Sequence, residues 1–228
     1  MKVISRLNSP KCTFFKLFSH IFRGNLFEGS SIKKFESNLG KYIGVKHVSS
    51  VSSARYGLYI IMKSLNINKG KDEIIMPSYM PPIVGLIAKL CGLKIVFADI
   101  NPNTYNIDPA EIEKKITKNT KILLIVHLYG VPCDMDKIMK IVKKHNIFLI
   151  EDAAQALGAS YKGKKVGSFG DASVVSFGYC KNINTLCGGV VLTNNDLLNN
   201  KIKNELKQLP LPKRITLIKR AFSSQSKR

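Results

Sequence analysis

Two residues of this sequence, Lys181 and Asp152, are of types that carry out imine chemistry together. Lys181 lies in the segment Ser176 to Asn182, 29 residues after Asp152. A lysine amine can act as a Schiff-base nucleophile. A carboxylate at the end of a core strand can hold a protonated ring nitrogen. The pair therefore indicates a site for pyridoxal phosphate, a hypothesis that depends on how the rest of the chain places the two side chains.

Strand and helix patterns alternate from about residue 50 to residue 207. Apolar runs at Ile122 to Val126 and Ile147 to Ile150 are typical of parallel strands buried on both faces. Four further strands are predicted at Glu73 to Met76, Lys94 to Ile100, Val174 to Phe177 and Gly189 to Thr193. The alternation predicts a doubly wound α/β fold, with three α/β/α layers and a mostly parallel sheet.

The helices carry recognisable start and stop signals. The predicted first residues are Ser53 as an N-cap, Pro81-Pro82 before a helix that Gly92 closes, Asp108 with the capping-box acid Glu111, and Asp134 as an N-cap. A last helix is predicted from about Asn195 to Leu206. No internal repeat is found.

These elements place the chemical residues at one edge of the sheet. We expect Asp152 just past the carboxyl end of its strand, where ligand sites of open α/β sheets gather. Ser53 is expected at a helix N-terminus, which favours a phosphate group. Lys181 follows another strand. The three residues could converge on one anionic, ring-bearing ligand.

The net charge of +21 is concentrated at the ends of the chain. Residues 1–34 hold seven Lys or Arg against one acid, and residues 201–228 hold nine against one. Such arms can contact nucleic acid or anionic lipid. They lack aromatic interleaving, zinc-ligand spacing and a recognition helix, so specific nucleic-acid binding is not predicted. A solvated face or a lysine bias is the simpler interpretation.

The sequence also indicates the cellular compartment of the protein and whether it binds a metal. No apolar run approaches the ~20 residues of a membrane span, and no secretory leader is recognisable. The five cysteines are scattered and show no metal-ligand spacing, so no metal site and no disulfide framework are predicted. We expect a cytoplasmic protein with reduced thiols.

An ordered series of motifs resembles the DegT-type nucleotide-sugar aminotransferases, which are pyridoxal-phosphate enzymes of fold type I. The resemblance covers roughly residues 30 to 200. The matching stretches are Phe35-Glu36, Tyr42 to Val45, Ile75 to Ser78, Val96 to Ile100, Thr104 to Asp108, His127 to Gly130, Asp134 to Asp136, Glu151 to Ala156, Gly158-Ala159, Lys162-Gly163, Val166 to Asp171, Ser176-Phe177, Lys181-Asn182 and Gly188-Gly189.

The resemblance implies a role for each of several residues. Lys181 matches the Schiff-base lysine, Asp152 the partner of the pyridine nitrogen, and Gln155 the polar residue beside the cofactor's phenolic oxygen. Ser176 matches the serine that binds the cofactor phosphate. The segment Ser53-Ala54-Arg55 stands where the family has Ser-Gly-Thr, which cups that phosphate.

The resemblance also implies an activity. An amino donor, usually glutamate, gives its amino group to the cofactor, and the lysine moves the proton. The cofactor then aminates a keto sugar linked to a nucleotide, in polysaccharide or glycoconjugate biosynthesis. Family dehydratases have histidine in place of this lysine, so Lys181 favours transamination. A homodimer is implied, or pairing with a chain that supplies a small domain.

The sequence departs from the family pattern at four places. Ala54-Arg55 replaces Gly-Thr, Leu186-Cys187 replaces Gly-Glu, and Pro81 stands where many relatives place an aromatic over the cofactor ring, a role that Tyr79 could take over. The fourth is that the family's small C-terminal domain is expected to be missing.

We therefore expect a basic segment at 1–29, a cofactor-binding large domain at 30–207 and a basic, disordered tail at 208–228. Two interpretations stay open: an aminotransferase or its cofactor-binding portion, and a non-catalytic homologue that acts as an interaction partner. A third, weaker interpretation uses the basic ends to contact membrane or nucleic acid.

Overall fold

The computed structural model describes residues 30–178, 181–185 and 187–208. The predicted N-terminal segment 1–29, residue Leu186 and nearly all of the predicted tail lie outside these ranges. The described elements are, in chain order, α1 (Ser30–Ile43), β1 (His47–Val51), α2 (Ala54–Ser64), β2 (Glu73–Pro77), α3 (Pro82–Leu90), β3 (Lys94–Ala98), α4 (Pro109–Lys115), β4 (Thr120–Val126), a 3-10 turn (Leu128–Gly130), α5 (Met135–His145), β5 (Phe148–Asp152), β6 (Ser160–Tyr161), β7 (Lys164–Lys165), β8 (Ala172–Ser176), β9 (Gly189–Thr193) and α6 (Asp196–Lys207).

Seven strands form one mixed sheet in the order β1-β9-β8-β5-β4-β2-β3. Strands β3, β2, β4, β5 and β8 pair in parallel, whereas β9 pairs antiparallel with both β8 and β1. Strand β9 is therefore the one strand of this sheet that runs in the reverse direction. The short strands β6 and β7 form a separate hairpin.

Helices cover both faces of the sheet because alternate strand residues are apolar on both sides. One face packs against α2, α3 and α6 through Leu58, Ile87 and Ile202. The other packs against α4 and α5 through Ile112 and Ile138. Helix α1 joins that second face through a smaller cluster around β8 and β9. The predicted three-layer α/β/α architecture is confirmed.

Most helix signals act as predicted. The side chains of Ser53, Asp134 and Asn195 each accept a backbone hydrogen bond in the first turn of α2, α5 and α6. Pro81 and Pro82 begin α3, and Gly92 follows its end with a left-handed φ of 84°. These caps satisfy amide groups that a helix end leaves without an intrahelical partner.

Three expectations need correction. Asp108 is the N-cap of α4 as predicted, with its Oδ1 accepting the Ala110 N–H at 2.9 Å, but the capping box is wrong, because Glu111 pairs with Lys114 while the Asp108 N–H donates to the Asp99 carbonyl. Strand β3 ends at Ala98, since the chain turns at Asn101 and only an isolated bridge joins Ile100 to Ile107. Finally, Asp152 is the last residue of β5 and not the residue after it.

Candidate functional site

Four adjacent strands, β5, β8, β9 and β1, bring the predicted site residues to one edge of the sheet. Ser176 at the end of β8 pairs with Gly189 at the start of β9, and Gly189 pairs with Val51 at the end of β1. Asp152 pairs with Val174, two residues before Ser176. Because neighbouring strands lie ~4.8 Å apart, the carboxyl ends of β5, β8 and β1 form one continuous rim.

Asp152 presents a buried carboxyl at this rim. Asp152 is 6% exposed, and its Oδ1 accepts the Ala154 N–H at 2.9 Å. Its backbone carbonyl accepts the His127 N–H at 3.0 Å, which fixes β5 to the end of β4. Burial raises the pKa of Asp152, while the Ala154 N–H and the charge of Lys181 oppose that rise. A cation placed beside this carboxyl would be strongly favoured.

Lys181 lies in the loop between β8 and β9, close enough for its charge to act on Asp152. Its N–H donates to the Gly178 carbonyl at 3.2 Å, and the side chain is partly buried. The loop is closed at its base by a 2.9 Å hydrogen bond from the Thr185 N–H to the Phe177 carbonyl. Asn182 anchors it further by donating to the Leu157 carbonyl at 2.9 Å. The structure thus brings the predicted amine and the predicted carboxyl to the same site.

The N-terminus of α2 completes the rim beyond β9. Ser53 forms a bridge with Gly188, and its Oγ accepts the Tyr56 N–H at 3.2 Å. Ala54 is buried and Arg55 is exposed. The first amides of a helix have no intrahelical carbonyl partner and attract anions. Ser53 and Ser176 therefore lie on adjoining parts of the rim, where a phosphate could meet both.

Close backbone packing at this helix end depends on Gly189. A β-carbon at Gly189 would lie 2.6 Å from the Ala54 nitrogen and 2.8 Å from the Val175 carbonyl oxygen. Both neighbours are backbone atoms that cannot rotate away. Ser176 contributes its hydroxyl beside this contact, where Oγ accepts the Gly178 N–H at 3.3 Å.

Gln155 and Tyr79 meet through a residue that the sequence did not single out, Tyr129. Gln155 Oε1 accepts the Tyr129 N–H at 3.1 Å, and the Tyr79 and Tyr129 hydroxyls lie 2.8 Å apart. The Tyr79 ring also packs against Tyr105, with centroids 5.9 Å apart. Tyr105 and Tyr129 both have left-handed backbones, with φ of 60° and 54°. Bulky residues rarely adopt that conformation, and such strain gathers at functional sites.

A second feature that the sequence left without a role is a buried hydrogen-bonded pair of side chains behind Asp152. His127 and Glu151 are both fully buried, and His127 Nε2 lies 3.1 Å from Glu151 Oε2. A signal was present, because Glu151 is a charged residue that directly follows the apolar run Ile147 to Ile150. Pro81 is the N-cap residue of α3, with φ of −58°.

Comparisons with known proteins agree with this geometry. A model of the "DegT/DnrJ/EryC1/StrS aminotransferase family" matches residues 13–213. The GDP-perosamine synthase of Caulobacter vibrioides is 41% identical over 175 residues, which are 77% of this chain and 47% of that protein. A UDP-4-amino-4,6-dideoxy-N-acetyl-beta-L-altrosamine transaminase of Campylobacter jejuni is 39% identical over 179 residues, 77% of this chain and 46% of that protein.

Solved structures give the same result. The PseC aminotransferase of Helicobacter pylori, involved in pseudaminic acid biosynthesis, superposes with a TM-score of 0.75 at 34% identity, over 77% of this chain and 47% of that one. NtdA of Bacillus subtilis, solved with bound cofactor PMP, superposes with a TM-score of 0.77 at 33% identity, over 83% and 42%.

The chain spans about half the length of the curated relatives it matches. In the ranges that the structure describes, no helix has both the length and the apolarity needed to cross a membrane. Enzymes of the matched family depend on pyridoxal phosphate. On the family match and the identities together, this chain belongs to the DegT/DnrJ/EryC1/StrS aminotransferase family.

Proposed function

We propose that this chain binds pyridoxal phosphate and provides the cofactor site for transfer of an amino group to a keto sugar linked to a nucleotide. One observation carries the proposal: the carboxyl of Asp152 is buried at a rim that also holds Ser176 and the N-terminus of α2, within electrostatic range of Lys181. The relatives named above make or act on nucleotide-linked amino sugars by their names, which supports the substrate class.

The residues present fit this cofactor. Asp152 is a carboxyl whose burial is best offset by a cationic N–H, which a protonated pyridine offers. Ser176, Ser53 and the first amides of α2 offer donors to a phosphate, and Arg55 on the same turn adds positive charge. When bound, pyridoxal phosphate supplies an aldehyde carbon that bonds to an amine with loss of water, and a ring that accepts electrons from the carbon beside that amine.

In this proposal each side chain has a defined task. Lys181 would hold the cofactor through its amine Nζ, and when that amine is free it would carry a proton to and from the reacting carbon. Asp152 would keep the ring nitrogen protonated, Gln155 would hold the phenolic oxygen, and Tyr79 would hold the ring by stacking. Glutamate as donor and a homodimer, or pairing with a second chain, are parts of the proposal that follow from family membership.

The decisive experiment is a titration of the purified chain with pyridoxal phosphate. We expect the near-visible absorption band of a lysine-bound cofactor, and borohydride reduction followed by peptide mass spectrometry should locate the cofactor on Lys181. The variant Lys181→Ala should lack the band. Lys114→Ala is the matched control, because Lys114 is an exposed lysine of α4 that pairs with Glu111. A band of equal strength in Lys181→Ala would contradict the proposal.

The role of Tyr79 has its own test. Tyr79→Phe keeps the ring and loses the hydroxyl contact to Tyr129, so cofactor affinity should change less than about threefold. Tyr79→Ala removes the ring, and stacking on a base or ring of this kind is worth roughly 1–3 kcal/mol, which corresponds to a loss of affinity of about fivefold or more. Equal affinities of Tyr79→Ala and the parent chain would remove Tyr79 from the site.

A further inference from the structure

Glu151 and Asp152 are consecutive residues of β5, so their side chains lie on opposite faces of the sheet. Asp152 follows Ile150 on the face that α2 and α3 cover, whereas Glu151 follows Leu149 on the face of α4 and α5. The proposed cofactor chemistry uses Asp152 and assigns nothing to Glu151. Yet Glu151 is fully buried, and burying a carboxylate is costly unless its oxygens are fully hydrogen-bonded.

Four donors satisfy the Glu151 carboxylate. Oε1 accepts the N–H groups of Phe169 and Gly170, both at 2.7 Å. Oε2 accepts the Gly167 N–H at 2.8 Å and contacts His127 Nε2 at 3.1 Å. The carboxylate therefore ties the loop at 167–170 to β5 at the position directly before Asp152.

His127 connects this carboxylate to Asp152. Its Nδ1 accepts the Cys133 N–H at 3.0 Å, so the ring hydrogen is on Nε2 and is donated to Glu151. Its backbone N–H donates to the Asp152 carbonyl at 3.0 Å. One residue thus holds Glu151 through its ring and Asp152 through its main chain.

We propose that His127 and Glu151 form a buried positioning pair that holds Asp152 at the place where it meets the cofactor's ring nitrogen. This inference rests on the proposed function. Neither residue touches the cofactor: the pair acts by fixing the ends of β4 and β5 and the 167–170 loop relative to each other. A catalytic carboxyl works only when its neighbours lock its geometry to a fraction of an ångström, and Asp152 is locked from behind by this pair.

The test compares two ligands that differ only at the ring nitrogen. Pyridoxamine phosphate binds without a covalent bond to lysine, because it has an amine in place of the aldehyde. Its carbocyclic analogue has C–H in place of the ring nitrogen. The ratio of the two dissociation constants, measured by calorimetry at one pH, reports the contact with Asp152, whereas a general loosening of the fold weakens both ligands alike. We expect the parent chain to prefer pyridoxamine phosphate and Asp152→Asn to lose about tenfold of that preference.

The variant Glu151→Gln should reduce the preference by at least about threefold. Its amide oxygen can replace Oε1 toward Phe169 and Gly170. Its NH₂ group then faces the N–H of Gly167 and the Nε2–H of His127, and donors cannot satisfy donors. His127 cannot relieve the clash by changing tautomer, since its Nδ1 must accept from Cys133.

Two substitutions of His127 separate its contacts and keep the test decisive if Glu151→Gln fails to fold. His127→Gln places an NH₂ group near the Nε2 position, so it should keep the contact to Glu151 and most of the preference. His127→Asn keeps an acceptor for the Cys133 N–H but loses the donor to Glu151, so the preference should fall by at least about threefold.

Asp171→Asn is the matched control. Asp171 accepts the Leu149 N–H at 2.8 Å, so it also holds β5, but near the opposite end of the strand. Its amide keeps an oxygen for the Leu149 N–H, so the ratio should stay unchanged. An unchanged ratio in both Glu151→Gln and His127→Asn would overturn the positioning role while leaving the proposed function intact. Failure of the parent chain to bind pyridoxamine phosphate would overturn both proposals.

Discussion

Asp152 is held where its negative charge is least stable, inside the protein and away from water. Burial raises its pKa, so the folded state holds this proton more tightly than the unfolded chain does. The resulting cost to stability is absent below the unfolded pKa of about 3.9, grows as the pH rises through the folded pKa, and is complete above it. A bound cation would remove that cost, which is why the position favours a cofactor partner.

We therefore predict that Asp152→Asn stabilises the cofactor-free chain at pH 7 and has little effect at pH 4. The amide keeps an oxygen for the Ala154 N–H and carries no charge. Urea unfolding of both proteins at several pH values measures the difference. Asp171→Asn serves as the control, because that carboxylate is exposed at the other end of the strand. A parent chain more stable than Asp152→Asn at pH 7 without cofactor would refute this argument.

At Gly189 the constraint is steric. The added methyl group of Gly189→Ala would overlap the Ala54 nitrogen and the Val175 carbonyl, so β9 and the start of α2 must separate. Overpacking of this kind typically costs about 1–3 kcal/mol, and the rim that would hold a phosphate widens with it. We expect a lower melting temperature and weaker binding of pyridoxamine phosphate.

Gly85→Ala is the control for this substitution. Gly85 lies within α3, and its added β-carbon would make ordinary contacts of 3.6 and 3.7 Å. Alanine is a better helix former than glycine by about 1 kcal/mol, so this variant should be as stable as the parent chain or more so. Similar stabilities of the two variants would show that the backbone around Gly189 can shift to accommodate the added methyl group.

At the scale of elements, the sequence predicted the strands and helices whose apolar pattern is strong. Strand β4 was readable because Ile122 to Val126 is uninterrupted, and the caps at Ser53 and Asp134 because their side chains act locally. Helix α1 was not predicted, although Ile32, Phe35, Leu39 and Ile43 repeat at helical spacing. The position of α1 in the fold depends on contacts with residues distant in sequence. For example, Glu36 accepts the Ser50 N–H at 2.7 Å.

The candidate site shows the same division. Asp152 and Lys181 were readable by residue type and motif, and the structure places them together. The hydrogen bonds of Tyr129 and Glu151 were not readable, because their partners, Gln155 and the 167–170 loop, lie 26 and 16 to 19 positions away. Strand order determines which loops meet at one edge of the sheet, and the local spacing of residue types does not reveal strand order.

Helix α1 supports the lysine loop, which leads to a prediction for Phe35. Its ring meets Phe177 edge to face, with centroids 5.4 Å apart, and Phe177 begins the segment that carries Lys181. Phe35 is 39% exposed, so Phe35→Ala should cost less than a full core truncation, about 1–2 kcal/mol. Amide hydrogen exchange should speed up in residues 177–188.

Ile32→Ala is the comparison for that experiment. Ile32 lies on the same helix with a similar exposed fraction, 41%, one turn before Phe35. It should lower stability slightly without changing exchange in the 177–188 loop. Equal acceleration of exchange in both variants would mean that α1 acts through its general packing and not through the Phe35–Phe177 contact.

For the whole molecule, the balance between repulsion and ion pairing decides how salt affects stability. The chain carries 36 basic and 15 acidic side chains. Among the described residues, opposite charges meet mainly at the surface, as in Lys46–Asp196, Lys63–Glu205 and Lys144–Glu113. Exposed pairs contribute about 0–1 kcal/mol each, whereas a net charge of +21 repels itself throughout the compact state.

Repulsion should therefore prevail, and salt should stabilise the cofactor-free chain. Raising NaCl from roughly 10 mM to 1 M shortens the screening length from about 30 Å to about 3 Å, which weakens long-range repulsion more than contacts at 3 Å. We expect the melting temperature to rise with ionic strength and to be the same in NaCl and KCl, since screening depends on charge and not on the cation. A melting temperature that falls with salt would mean that the surface ion pairs outweigh the excess of lysine, and a difference between the two salts would indicate specific ion binding.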